Sequence, residues 1–222
     1  MTRDIATALY RERHGVKKAI YVVGDQQKQY FEQLFEILKK MGRPIGNTSV
    51  HVYFGLVSLP EGKMSTRKGN VILLKDVINE GLTKVNETIR QKNPELSKDK
   101  KKKARIVHQI AVGAIKWNDL AQDAKNAIVF DWDKATNIQG NSAARVQYSG
   151  VRANAILNSA GVTKEQLSQI SPDLSNRAFS PEERQLIKSL SEYPQTLADA
   201  QKYNSPDKIA KYVSGVATRF NA

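Results

Sequence analysis

Hydrophobic periodicity changes once along this chain, and that change limits the folds open to it. Residues 19–24 (AIYVVG) are a short apolar run ending in glycine, the pattern of a buried parallel strand. Within 26–42, Phe31, Leu34, Phe35 and Leu38 fall at i, i+3, i+4 and i+7, one stripe of a helix. Residues 49–57 (SVHVYFGLV) read as the next strand, with Val50, Val52, Phe54 and Leu56 on one face. Strand, helix, strand in this order is a βαβ unit with a parallel pair. Two strands are too few for a self-sufficient doubly wound sheet, so part of an α/β domain is expected to be absent.

Beyond residue 73 the period is helical throughout. The spacing predicts helices over 74–91, 102–120 and 142–160, the last closing at Gly161. Ser180-Pro181-Glu182-Glu183 carries an N-cap, a first-turn proline and a capping-box glutamate. Ser205-Pro206 is expected to repeat that device before Ile209, Tyr212, Val213, Val216 and Phe220. Five helices with short connections predict a bundle.

Charge narrows the partner. The 222 residues carry a formal net charge of +13 and no cysteine, which excludes disulfides, thiolate metal sites and a cysteine nucleophile. His14, His51 and His108 lie far apart without ligand spacing, so no metal site is expected. No apolar stretch approaches the ~18–20 residues of a membrane span, and the N-terminus does not read as a signal peptide; a soluble, cytoplasmic protein is expected. A basic protein of this kind points to a polyanion. The run 97–105 (SKDKKKKAR) has six cations against one carboxylate and marks a division into 1–96 and 97–222. Such a run reads first as a solvated helix end or linker, and second as specific contact with nucleic-acid phosphates. Aromatic residues are only 7% and are not interleaved with this run, which does not favour base stacking there.

Between the second strand and the first bundle helix, the loop 61–70 (EGKMSTRKGN) combines two glycines, three cations and two hydroxyls. Such a loop can meet phosphate oxygens by charge-assisted hydrogen bonds. It also leaves the C-terminal end of a parallel strand, where open α/β sheets place ligands. The spacing is not that of a P-loop, and a solvated basic loop would have the same composition.

Lys63-Met64-Ser65-Thr66-Arg67 resembles the K-M-S-K-S signature of class I aminoacyl-tRNA synthetases. The extended KMSTRKGNVI, preceded by HVYFGLV, is similar to the arginyl-tRNA synthetase family in particular. Thr2-Arg3-Asp4, YVVGDQQ at 21–27 and VFDWDKATNIQGNSAARVQY at 129–148 resemble that family's landmarks in the same order. The resemblance implies the second half of a Rossmann-like catalytic domain with its K-M-S-K-S-type loop, followed by an all-α anticodon-binding bundle. It implies a two-step reaction: arginine is activated by Mg-ATP to arginyl-adenylate, then transferred to tRNA(Arg). Arginine would be bound by Asp4 and Gln27, since a planar guanidinium suits a carboxylate and an amide oxygen. The adenine side of ATP would lie near His51, Phe54, Gly55 and Met64. Lys63, with Ser65, Arg67 and Lys68, would face the leaving pyrophosphate. Lys100, Lys101, Lys102, Lys103, Arg145 and Arg152 would touch tRNA. A monomer is expected.

Departures from the family pattern shape the expectation. No His-x-Gly-His segment occurs in these residues, and Thr66 stands at the usual second lysine of the signature. The chain therefore reads as an internal fragment, unable to make adenylate unaided. The alternative is a non-catalytic RNA-binding module held to tRNA by its basic surface.

Overall fold

The computed structural model describes residues 1–58, 73–137, 140–169 and 178–222. The loop 61–70 lies outside the described residues. The chain divides into two compact units, one built from 1–63 with 123–129 and the other from 64–122 with 130–222.

The first unit opens with α1 (Thr2–Arg13), followed by β1 (Ile20–Gly24) and a 3-10 turn, Asp25–Gln27. Helix α2 (Lys28–Lys40), the short α3 (Ile45–Thr48) and β2 (Val50–Phe54) come next. Strands β1 and β2 pair in parallel with Ile20 opposite Val50 and Gly24 opposite Phe54. The βαβ unit expected from periodicity is present.

The apolar stripe of α2 buries Phe31, Leu34 and Leu38 against Ala8, Ala19 and Ile45, with Tyr21, Val23 and Phe35 closing around them. Gly42 ends α2. Its positive φ of 68° lets its amide reach the Lys39 carbonyl while the Arg43 amide reaches that of Leu38, a Schellman turn. A second, two-residue parallel pair joins β3 (Val57–Ser58) to β4 (Ile128–Val129), and the Ser58 hydroxyl donates to the Ile128 carbonyl at 3.2 Å.

The second unit is helical in its described residues. Helix α4 (Leu74–Lys92) is followed by a 3-10 turn (Pro94–Lys98) and α5 (Lys100–Leu120). Val85 and Ile89 pack on Val107 and Ala111, so the helices on either side of the basic run share one core. Helix α5 starts two residues earlier than its apolar pattern suggests, because the Asp99 carboxylate accepts from the Lys102 amide at 2.9 Å and caps it. The remaining helices are α6 (Trp132–Ala135), α7 (Ala143–Ser159), α8 (Lys164–Gln169), α9 (Pro181–Ser191), α10 (Tyr193–Tyr203) and α11 (Asp207–Phe220). Helix α7 closes at Gly161, with a φ of 66°, as its sequence predicts. Ser180 and Glu183 form the expected capping box at α9. No described helix is long and apolar enough to cross a membrane.

Ser205 corrects one expectation. Instead of capping α11, its hydroxyl donates to the carboxylate of Asp207, the first residue of the helix. Asp207 is only 5% exposed and also accepts from Lys211 Nζ at 2.7 Å. Burial raises its pKa, but the bonds from Lys211 and Ser205 outweigh it, and the net shift is downward. A carboxyl depressed in the folded state contributes stability above its unfolded pKa of about 3.9 and loses it as pH falls through the folded value. Melting temperatures of the parent chain and of Asp207→Asn should therefore differ at pH 7 and converge as the pH falls from about 3.9 through the lower folded value. A gap that stays constant across that range would refute the assignment.

Candidate functional site

Both strands of the first pair end on one edge of the first unit, and the sequence places its chemistry there. Gly24 leads into the 3-10 turn that carries Gln27, and its register partner Phe54 leads into Gly55. The C-terminal edge of parallel strands is where α/β sheets receive ligands. Gln27 is exposed at the start of α2.

One turn later on the same helix, the Tyr30 hydroxyl donates to Asp4 Oδ2 at 2.5 Å. That bond ties the first turn of α1 to the first turn of α2. It also raises the Tyr30 pKa, first through the hydrogen bond to Asp4, then through desolvation and the carboxylate charge. Asp4 keeps its second oxygen for another donor. The structure thus puts Asp4 in the first turn of α1 and Gln27 at the start of α2, two helix starts tied by Tyr30.

His51 points the other way from Phe54 along β2. Its ring lies 4.5 Å from that of Phe31, and Nε2 sits 3.1 Å from the Val23 carbonyl oxygen. Its Nδ1 is buried without a hydrogen-bond partner. Phe54 is 42% exposed. Gly55 is buried, and its amide donates to the Ala124 carbonyl at 2.8 Å. A Cβ there would lie 2.5 Å from the Asn126 carbonyl oxygen, so the close approach of two backbones requires glycine. Tyr53 is flanked by Lys28 and Lys125, each 5.5 Å from its ring centre. Lys63, Met64, Ser65, Arg67 and Lys68 lie outside the described residues.

A cleft of about 850 Å³ opens in the second unit. Arg145, Tyr148 and Arg152 of α7 face it, joined by Lys92 from the end of α4 and Asn221 beyond α11. Arg152 Nη1 donates to Asn221 Oδ1 at 2.5 Å, and the Asn221 amide donates in turn to Ser149 Oγ at 2.5 Å. This chain fixes the guanidinium at the cleft wall. Three cations, a half-exposed tyrosine and several amides against one carboxylate, Asp133, make a surface suited to a nucleotide. Lys100 to Lys103 form the first turn of α5, and none makes an ion pair among the described residues.

The family model described as "tRNA synthetases class I (R), catalytic domain" matches residues 1–132. The chain belongs to the arginyl-tRNA synthetase family. A second model, the DALR anticodon binding domain, matches residues 146–222 of this synthetase-family chain. The arginine–tRNA ligase of Halothermothrix orenii is 38% identical over 222 residues, all of this chain and 38% of that protein. The solved arginyl-tRNA synthetase of Thermus thermophilus superposes with a TM-score of 0.79 at 26% identity, over 93% of this chain and 33% of that one. The enzyme from Plasmodium falciparum reaches 0.81 at 24% identity over 98% and 36%, a likeness of fold. The chain thus spans about 38% of the length of the curated relatives it matches. Its α/β part is a piece of a class I catalytic domain, followed by a helical anticodon-binding domain.

Several residues escaped the reading of the sequence. Tyr30 carries no signal except its spacing of three from Gln27, and Lys28 and Lys125 meet Tyr53 only through the fold. In the cleft, Arg145, Tyr148 and Arg152 share a helical stripe visible in the sequence, whereas Asn221 lies 69 residues from its partner.

Proposed function

We propose that these residues serve an arginine–tRNA ligase, as the second half of its catalytic domain and its tRNA-anchoring bundle. This reading is supported by the hydrogen bond from Tyr30 to Asp4, which ties the first turn of α1 to that of α2, and by Gln27 at the start of α2 just past β1. Arginine's guanidinium meets the free oxygen of Asp4 and the amide of Gln27, while Tyr30 holds the carboxylate in place. ATP, entering with Mg²⁺ as substrate, rests its adenine near His51, Phe54 and Gly55, with Met64 beside them.

The arginine carboxylate oxygen attacks the α-phosphorus, and the bond to pyrophosphate breaks. Lys63, with Ser65, Arg67 and Lys68, balances the charge that develops on the leaving group. The terminal ribose hydroxyl of tRNA then attacks the adenylate's carbonyl carbon, releasing AMP. The cleft of Arg145, Tyr148 and Arg152 holds tRNA during both steps. A monomeric protein in the cytoplasm belongs to the same proposal.

The test exchanges these 222 residues for the matching ones of the Halothermothrix orenii ligase. The chimaera should show arginine-dependent ATP–pyrophosphate exchange, and Lys63→Ala should lower it by about 10²–10³, the worth of one preorganised donor. A chimaera that melts cooperatively and binds tRNA but gives no exchange would overturn the catalytic reading. It would leave the RNA-binding module, which the cleft favours, in its place.

A further inference from the structure

A second groove, of about 620 Å³, runs between α4 and α5 within the second unit. Lys100, Lys103, Ala104, Val107 and His108 form its α5 side, at i, i+3, i+4, i+7 and i+8, a single helical face. Leu82, Thr83 and Asn86 of α4 form the other side, and Ser97 lies at one end. The floor is apolar, from Leu82, Ala104 and Val107, and the rim is basic. Among the described residues, no carboxylate lines the groove.

Glu87, next to Asn86 on α4, is exposed and does not line the groove, and the carboxylates flanking the start of α5 are engaged. Glu95 pairs with Lys98 at 2.7 Å, and Asp99 caps α5. Lys100 and Lys103 make no ion pair among the described residues. The Ser97 hydroxyl is buried without a partner, and Thr83 donates to the Asn79 carbonyl, which leaves its oxygen able to accept. The set of unengaged groups is thus two ammonium ions, an imidazole, a hydroxyl and an amide over an apolar floor.

We propose that this groove seats a stretch of RNA sugar–phosphate backbone, and that Lys100 and Lys103, not Lys101 and Lys102, make the phosphate contacts. The face from Lys100 to His108 rises about 12 Å, longer than one phosphate needs, and the floor suits a ribose. Ammonium donors meet the phosphate oxygens, and the Asn86 amide supplies a shorter-range donor. Lys101 and Lys102 lie off that stripe and face solvent, where they add only diffuse attraction. The groove sees backbone and no base edges, so it strengthens binding of any RNA. The proposal rests on the reading of this chain as a tRNA-binding protein, but selects different residues from the cleft on α7.

Titrations of the 222-residue chain with tRNA(Arg) and with an unrelated RNA hairpin, from 50 to 200 mM salt, test it. Each phosphate contact contributes about 0.7–0.9 to the slope of log K against log salt. Lys100→Ala with Lys103→Ala should flatten that slope by about 1.4–1.8 for both RNAs. Lys101→Ala with Lys102→Ala should leave it unchanged. Alanine is the better helix former, so all four substitutions preserve α5. Asn86→Glu, which leaves every lysine in place, should weaken both RNAs by adding a like charge to the groove.

Equal flattening by the two lysine pairs, no effect of either, or no RNA binding at all would overturn the seat. A chain that prefers tRNA(Arg) yet ignores Lys100 and Lys103 defeats the seat and keeps the synthetase reading. A chain that shows no such preference but loses slope with Lys100 and Lys103 does the reverse.

Discussion

Trp132→Ala is expected to destabilise the second unit by about 3–5 kcal/mol, the usual range for deleting a buried tryptophan. Trp132 is 5% exposed, meets Phe130 edge-on at 4.8 Å, and covers Gly81 in the middle of α4. A Cβ on Gly81 would lie 2.1 Å from Cη2 and 2.6 Å from Cζ2 of the indole. A glycine inside a helix costs about 0.5–1 kcal/mol relative to alanine, and the ring explains why it stands there.

Gly81→Ala alone should therefore destabilise by about 1–3 kcal/mol through overpacking. In the Trp132→Ala background the same change should turn neutral or stabilising, because the obstructing ring is gone and the helix propensity remains. Urea titrations followed by Trp117 fluorescence read all four members of the cycle, since Trp117 sits in the same unit. Additive effects would show that Gly81 and Trp132 are not coupled.

Phe31→Ala should have an effect of similar size, about 3–5 kcal/mol, on the first unit. Phe31 is 5% exposed, with ring centres at 4.5 Å from His51, 5.0 Å from Tyr21, 5.5 Å from Tyr30 and 6.1 Å from Phe35. Losing it opens a cavity beneath two groups the proposed site uses: His51 directly, and Asp4 through Tyr30. Both tryptophans, Trp117 and Trp132, belong to the second unit, so neither reports from inside the first. Amide exchange in β1 and α2 is the suitable measure, because it resolves opening of one part of a chain. Protection factors there should fall by two orders of magnitude or more, as about 1.4 kcal/mol corresponds to tenfold. A change under tenfold would refute the central role of Phe31.

The parts legible in the sequence are those with a long, clean period. Helix α2, with four apolar residues on one stripe, and α4 and α5, with their shared core, could be read directly. Helix α1 could not: Ile5, Ala8 and Leu9 face the core, but Arg3, Asp4, Arg11 and Arg13 dilute the pattern. Helix α10 was hidden by Pro194, which reads as a breaker and instead occupies the first turn. The two-residue strands β3 and β4 are too short to show any period. Ser205 misled because a serine before proline resembles a cap, while the buried carboxylate of Asp207 competes for its hydroxyl.

The candidate site follows the same rule. The lysine run was visible in composition, and Asp4 and Gln27 were reached only through the resemblance of their segments to the family. Tyr30, Lys125, Asn221 and the split of Lys100 and Lys103 from their neighbours depend on contacts between distant segments. No local pattern encodes those contacts.

The β3–β4 pair also sets an order of events on the ribosome. Ser58 meets Ile128 across 70 residues, and residues 123–129 supply the last strand of the first unit. A chain emerging from its N-terminus exposes α4 and α5 before β4 has been synthesised. Their contacts are close in sequence, so that helical hairpin can close early. The first unit must meanwhile wait with β3 unpaired, and the exposed Phe54, Leu56 and Val57 make that edge one that another chain's strand can recruit. Slowing translation just before residue 123 would lengthen the time this nascent edge stays open.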